Sequence, residues 1–273
     1  MFRNYLLVAF RNLWRHRVFS MINLLGLAVG MASFLLISRY VAFERSYDAF
    51  NVKADRIYRI NCDTKTETEV IHTGVTAGAH GPSIKAGFPE VGEQVRINFN
   101  SILVQNGDWR FQENNVLGAD STLFDIFTFP FVRGNPATAL QHPFDAVLSE
   151  TAAKKYFGDA DPVGQSLLFD KDRVRITGVI RDIPENSQFR SDIILSMSTF
   201  SSQNKGFGTG WGGFDWFTYL LLKPGADPAR LQAALRPFVN EKTADITKST
   251  DRLIFENKNA VVDRFRMLKP EFL

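Results

Sequence analysis

Hydrophobic and polar positions change rhythm along this chain, and each rhythm predicts a different kind of element. From Val18 to Ser38 the sequence VFSMINLLGLAVGMASFLLIS runs 21 residues without a charge, between Arg17 and Arg39. An α-helix of that length spans roughly 31 Å at ~1.5 Å per residue, about the thickness of a bilayer's hydrocarbon core. Buried helices of soluble proteins rarely stay apolar for so long. Residues 18–43 are therefore read as a transmembrane helix, with Tyr40 and Phe43 in the interfacial aromatic belt. Before it, residues 1–17 place Phe2, Tyr5, Leu6, Ala9, Phe10 and Leu13 on one side of a helix. Arg3, Asn4, Arg11, Asn12 and Arg15 fall on the other side. That pattern predicts a basic amphipathic helix in the headgroup layer of the cytoplasmic face; the plainer alternative is a basic flank that only sets topology.

Beyond Glu44 the rhythm becomes short and mixed. RIYRINCD, Arg56 to Asp63, alternates as a first strand does. Gln94–Asn98 and Ile102–Gln105 read as strands, and Asn106-Gly107 as the hairpin turn into Trp109–Gln112. Further strands are expected at residues 144–148, 166–169, 174–181, 189–197 and 217–222. Helices are expected at Pro82–Phe88, at Ser121–Phe127, at Ser149–Phe157 with a Ser149 or Thr151 cap, and at Pro228–Glu241. His72–Gly81 and Ser198–Gly213 read as glycine-bearing loops. The fold class is α+β: a transmembrane helix, then a mixed extracytoplasmic domain over residues 44–246, then a tail over 247–273.

Charge orients the span. Residues 1–38 carry Arg3, Arg11, Arg15 and Arg17 and no acid, while the chain as a whole has a net charge of +3. Basic flanks stay on the cytoplasmic side, so the N-terminus is expected inside, with the main domain outside on a single pass. A cleavable signal peptide is the competing reading, because Ala28-Val29-Gly30 and Gly30-Met31-Ala32 are small-x-small sites. The apolar run continues well past both, which favours an uncleaved anchor. The basic excess points to anionic lipid as partner and not to nucleic acid. Within the span, Gly26 and Gly30 form a G-x-x-x-G that Ser33 continues, the spacing of a helix-contact face. Glycine is also simply common in membrane helices, and the two readings weigh equally.

Signatures of catalysis fail in turn. The sequence has no G-x-x-x-x-G-K-[ST], no G-x-S-x-G and no H-E-x-x-H. Its histidines are His16, His72, His80 and His142, and a metal site shared by His72 and His80 is not favoured. Cys62 is the only cysteine, so no intramolecular disulfide forms. No catalytic, metal or cofactor-binding residue is expected.

Several stretches together resemble one family. NYLLVAFRNLWRHRVFSMINLLGLAVGMASFLL is similar to the opening of FtsX-like, MacB-type ABC transporter permeases. There the first span is followed by a motif that stands here as Glu44, Ser46, Tyr47, Asp48 and Phe50, then Ala54, Asp55, Arg56, Ile57, Tyr58 and Arg59. Further likenesses are Phe124–Leu140, Val147–Leu167, Ile176–Ser196 and Thr218–Leu235. The resemblance implies a MacB-like periplasmic core domain of two small lobes in the bacterial inner membrane. It also implies a separate ABC ATPase subunit that binds the ATP, and further permease spans or a second permease copy as partners. The external domain would couple ATP-driven motion to efflux or to envelope processes. After about Ile246 the likeness ends and later spans do not follow, so the chain is expected to be the front portion of a permease, with its tail loosely docked. The alternative is a stand-alone, membrane-anchored binding or sensor module.

Overall fold

A computed structural model describes residues 2–65, 70–211, 213–250 and 261–268. It divides into two compact units, Met1–Ser46 and Tyr47–Leu273.

The first unit holds α1 (Phe2–Arg15) and α2 (Arg17–Arg45). They are separated by His16, whose φ of −112° and ψ of 42° leave the helical region. Large apolar side chains line α2 in the open, from Val18 and Phe19 to Leu36 and Ile37, and none of its residues is buried. Among the described residues α2 is the one helix long and apolar enough to cross a membrane, by length and composition.

The second unit is mixed α+β, as the pattern predicts. A 3₁₀ turn at Ala54–Arg56 leads into β1 (Ile57–Lys65), β2 (Val70–Thr73), β3 (Thr76–Ala77) and α3 (His80–Gly87). The long hairpin of β4 (Val91–Asn106) and β5 (Trp109–Ala119) follows, then α4 (Leu123–Ile126) and β6 (Phe131–Gly134). Next come β7 (Asp145–Ser149), α5 (Glu150–Phe157), β8 (Ser166–Phe169) and β9 (Asp172–Ile180). The chain continues through β10 (Ile193–Ser196), α6 (Met197–Gln203), β11 (Phe214–Leu222), α7 (Pro228–Thr250) and β12 (Val261–Leu268). The strands lie on one hydrogen-bonded path, β12-β1-β11-β4-β5-β10-β7-β9-β6. β2, β3 and β8 pair onto its sides. The β5–β10 and β7–β9 pairs are parallel.

Several local expectations hold for their stated reasons. Gly107 takes a φ of 59° in the hairpin turn, where a side chain would be strained. Ser149 Oγ accepts from Ala152 N at 3.0 Å and so caps α5.

Others change. The two strands expected over residues 94–105 are one strand, because a register shift between Asn100 and Ile102 keeps the ladder to β5 running. The loop expected at His72–Gly81 contains β3 and the start of α3. Its Gly78 lets another backbone approach, since a Cβ there would lie 2.6 Å from Gly208. The start of the expected loop at Ser198–Gly213 is helical, in α6. The tail, expected to dock loosely, supplies β12, which pairs with β1 from Arg59–Leu268 to Lys65–Val261.

Among the described residues, buried side chains form three clusters. One surrounds Leu117, Phe127, Phe189 and Tyr219, one lies around Val104, Leu148 and Ile176, and one lies under α3 and α7 with Ile60, Leu220 and Leu235. In the first, ring centroids of Phe127 lie 4.7 Å from Phe189 and 5.1 Å from Tyr219, edge to face.

Candidate functional site

From Tyr47 onward the family-motif residues lie at the start of the second unit. Tyr47 to Asn51 form a turn, and its pivot is Asp48, a non-glycine residue at φ 54°. Aspartate tolerates that left-handed conformation because its short side chain bonds locally or nearby. Asp48 N donates to Asn186 O at 2.8 Å. Its Oδ1 accepts from Ser187 Oγ at 3.0 Å and from Gln188 N at 3.3 Å. Asp48 O accepts from Asn51 N at 3.2 Å and from Asn51 Nδ2 at 3.0 Å, which closes the turn.

Asn51 then reaches outward. Its Oδ1 accepts from Thr128 N at 2.9 Å, and Val52 N donates to Thr128 Oγ1 at 3.0 Å. Lys53 Nζ donates to Asp125 O. Arg190 Nη2 donates to Tyr47 OH at 2.9 Å and to Glu185 O at 3.0 Å. The turn is thus stitched to two distant segments, residues 184–190 and 125–128. Both rest on the aromatic cluster through Phe127 and Phe189, and Tyr219 OH donates to Gln188 Oε1 at 2.8 Å.

Asp48 is buried and its Oδ2 has no hydrogen-bond partner among the described residues. Burial pushes its carboxyl above the usual aspartate value of 3.8, and the bonds from Ser187 and Gln188 pull it back in part.

The rest of the motif is structural in its contacts. Phe50 is half-buried, Ile57 is buried in the aromatic cluster, and Tyr58 packs against the cluster under α3. Arg56 Nη1 donates to Leu222 O at 3.1 Å, with Asp55 3.9 Å away. Arg59 Nε donates to Asn61 Oδ1 at 3.0 Å, and its guanidinium lies 5.9 Å from the Phe217 ring centre. Glu44 and Ser46 belong to the first unit, where Ser46 Oγ donates to Phe43 O at 2.6 Å at the end of α2.

Of the other predicted positions, Gly26, Gly30 and Ser33 lie on α2, and a Cβ at either glycine would meet nothing within 4 Å. Arg3, Arg11 and Arg15 sit on α1, and Arg17 and Arg39 on α2; the last four are exposed. His80 is buried, and its Nδ1 accepts from Ala77 N at 2.9 Å. Burial lowers its pKa to about 4, so it stands neutral. Among the described residues no group of three or more His, Cys, Asp or Glu is placed to hold a metal ion. The side chain of His72 lies outside those described.

Sequence reasoning did not assign roles to Asn51, Thr128, Ser187 or Gln188. The Asp48-x-x-Asn51 spacing was a local turn signal, but nothing local pairs Asp48 with Ser187, which lies 139 residues away. It also missed Arg96–Asp120, an ion pair at 2.8 Å with both side chains 14% exposed, and a cavity of about 710 Å³ beside β4 and β11.

The sequence of residues 20–238 matches the model of the MacB-like periplasmic core domain. This chain belongs to that family. The domain is the type carried by permease components of ABC-type transporters, which is not an enzyme class. Solved structures share its fold. A domain of a protein described as a permease, from Porphyromonas gingivalis, aligns with a TM-score of 0.67 at 19% identity, covering 80% of this chain and 91% of that one. The periplasmic region of MacB from Actinobacillus actinomycetemcomitans aligns with a TM-score of 0.53 at 14% identity, covering 74% of this chain and 95% of that one. Comparison with curated proteins gives no match.

Proposed function

We propose that this chain is a permease component of a MacB- or FtsX-type ABC transporter in the bacterial inner membrane. In this reading α2 spans the bilayer, α1 lies on the cytoplasmic face against anionic lipid, and residues from Tyr47 onward are extracytoplasmic. The +4 flank without acids supports that orientation. The chain binds no cofactor itself; a separate ATPase subunit binds ATP, and the resulting motion reaches the external domain to drive efflux or an envelope process. Other permease spans, or a second permease copy, pack against the Gly26, Gly30 and Ser33 face.

The observation that carries the reading is how soon after α2 the chain is tied into the domain. α2 ends at Arg45, and Asp48 and Asn51 are already bonded to residues 184–190 and to Thr128. A displacement delivered along the chain would meet a fixed point within a few residues, with little slack to absorb it.

Affinity purification of the tagged full chain from mildly solubilised native membranes tests this. The expected companion is a protein with a G-x-x-x-x-G-K-[ST] loop. Recovery of the chain without a nucleotide-binding subunit, across several detergents, would contradict it. That outcome would favour a second reading, an anchored binding or sensor module, to which the cavity beside β4 and β11 lends support.

A further inference from the structure

The antiparallel ladder between β11 and β4 ends at Phe217 opposite Ile97. Past that point the two strands no longer pair with each other, and β4 next meets a partner on that side at Val104 and Gln105, in β8. β11 runs on against β3 through Trp216–Thr76 and Phe214–Ala77, while β4 runs on against β5 through Asn98–Gly118 and Asn100–Val116. Residues 98–100 and 214–216 therefore border a fork where a continued ladder would have paired them. The 710 Å³ cavity lies there, a volume within the range of about 300–1,000 Å³ found for ligand sites.

Its walls are built in advance. Phe200, Phe207 and Trp216 form a continuous aromatic wall, with centroids 5.4 Å apart for the first pair and 5.0 Å for the second. Arg96 Nη1 donates to Gly78 O at 3.0 Å and also to Gly208 O, which pins the glycine loop that carries Phe207. Asp120 in turn holds Arg96 at 2.8 Å, and the Arg96 guanidinium lies 5.4 Å from the Trp216 ring centre. Asn100 Nδ2 donates to Asn98 Oδ1 at 3.2 Å, which leaves further amide capacity at the fork. Among the described residues Asp215 is the only charged one that lines it.

We infer that this fork binds an extended peptide segment, which enters as an added strand between β4 and β11. Among the described residues no strand pairing joins 98–100 to 214–216, and unpaired strand edges are the main-chain pattern that an extended chain matches. In strand addition the main-chain bonds supply affinity, and pockets for alternate side chains supply choice. Here the aromatic wall selects apolar side chains at alternate positions, and Asp215 selects a basic flanking residue.

The full chain in lipid nanodiscs is titrated with a fluorescein-labelled pentapeptide, Val-Phe-Val-Phe-Lys, and binding is read by anisotropy. Three comparisons accompany it: the same peptide N-methylated at alternate nitrogens, N-acetylglucosamine tetramer as competitor, and Asn100→Trp, which fills the cleft. Saturable binding is expected, weakened at least about tenfold by N-methylation and by the substitution, or about 1.4 kcal/mol. Hydrogen exchange on the wild-type chain supplies a readout that needs no variant, with peptide-dependent protection expected at 98–100 and 214–216. Absence of saturable binding, equal affinity for the N-methylated peptide, displacement by the saccharide, or protection confined to other segments would each overturn the inference.

Discussion

Replacing Asp48 tests the turn that fixes the start of the second unit. In Asp48→Ala, Ser187 Oγ and Gln188 N lose the acceptor they now reach at 3.0 and 3.3 Å, and Ser187 is fully buried. Stranding a buried donor costs about 1–3 kcal/mol, with the longer bond at the low end of that range. Alanine at φ 54° adds roughly 1 kcal/mol of backbone strain. Removing a buried carboxylate returns part of this, so the net loss is set at roughly 3 kcal/mol. Asp48→Gly escapes the strain and should lose roughly 2 kcal/mol. Asp48→Asn keeps an acceptor at the Oδ1 position and tolerates the conformation, so it should stay within about 1 kcal/mol of wild type.

Thermal unfolding of the detergent-solubilised full chain reads the order directly. At about 2–4 °C per kcal/mol, Asp48→Ala should melt roughly 6–12 °C lower. The pH dependence supplies an independent sign. The folded carboxyl sits above 3.8 because burial disfavours its charge. Its contribution is therefore full below about pH 3.8 and is lost as pH rises through the raised folded value. Asp48→Asn has no such proton, so its stability relative to wild type should improve from about pH 4 upward and then level off. An alanine variant as stable as the asparagine one, or an asparagine variant that loses stability relative to wild type as pH rises, would refute the reasoning.

Three further outcomes are expected. Cys62 is buried, so an impermeant maleimide should leave wild-type spheroplasts unlabelled and label Asp108→Cys at the exposed β4–β5 turn; labelling only after lysis would reverse the proposed topology. Gly26→Leu or Gly30→Leu should weaken membrane crosslinking of α2 to a companion helix, and unchanged crosslinking would leave the motif without a packing role. Deleting residues 261–268 removes the strand on β1 and should lower the melting temperature by several degrees, since each ladder bond contributes about 1 kcal/mol; an unchanged value would show that β12 adds nothing to the fold.

What the sequence revealed follows from which interactions are local. The run from Val18 to Ser38 has few readings besides a membrane helix, and the Ser149 cap and the Asn106-Gly107 turn are defined within a few residues. β12 was hidden because Asp263, Arg264 and Arg266 look like surface, and its strand depends on pairing with β1, about two hundred residues earlier. α6 was hidden by its serines, which favour caps and turns over helix interiors. β4 looked broken because the bulge at Ser101 shifts the alternation by one position. The candidate site divides along the same line. Asp48 stood out through a family motif, whereas Ser187, Gln188 and Thr128 gained their roles only when the chain folded.

The central claim is that motion begun by ATP in the cytoplasm reaches the external domain through the Asp48 turn. It is tested by placing an environment-sensitive fluorophore on Asp108→Cys and following it in sealed native membrane vesicles as ATP and Mg²⁺ reach the cytoplasmic face. The account predicts a reversible, hydrolysis-dependent signal that shrinks in the Asp48→Ala background while ATP turnover continues. A probe that ignores ATP in the wild-type background, with turnover intact, would contradict it.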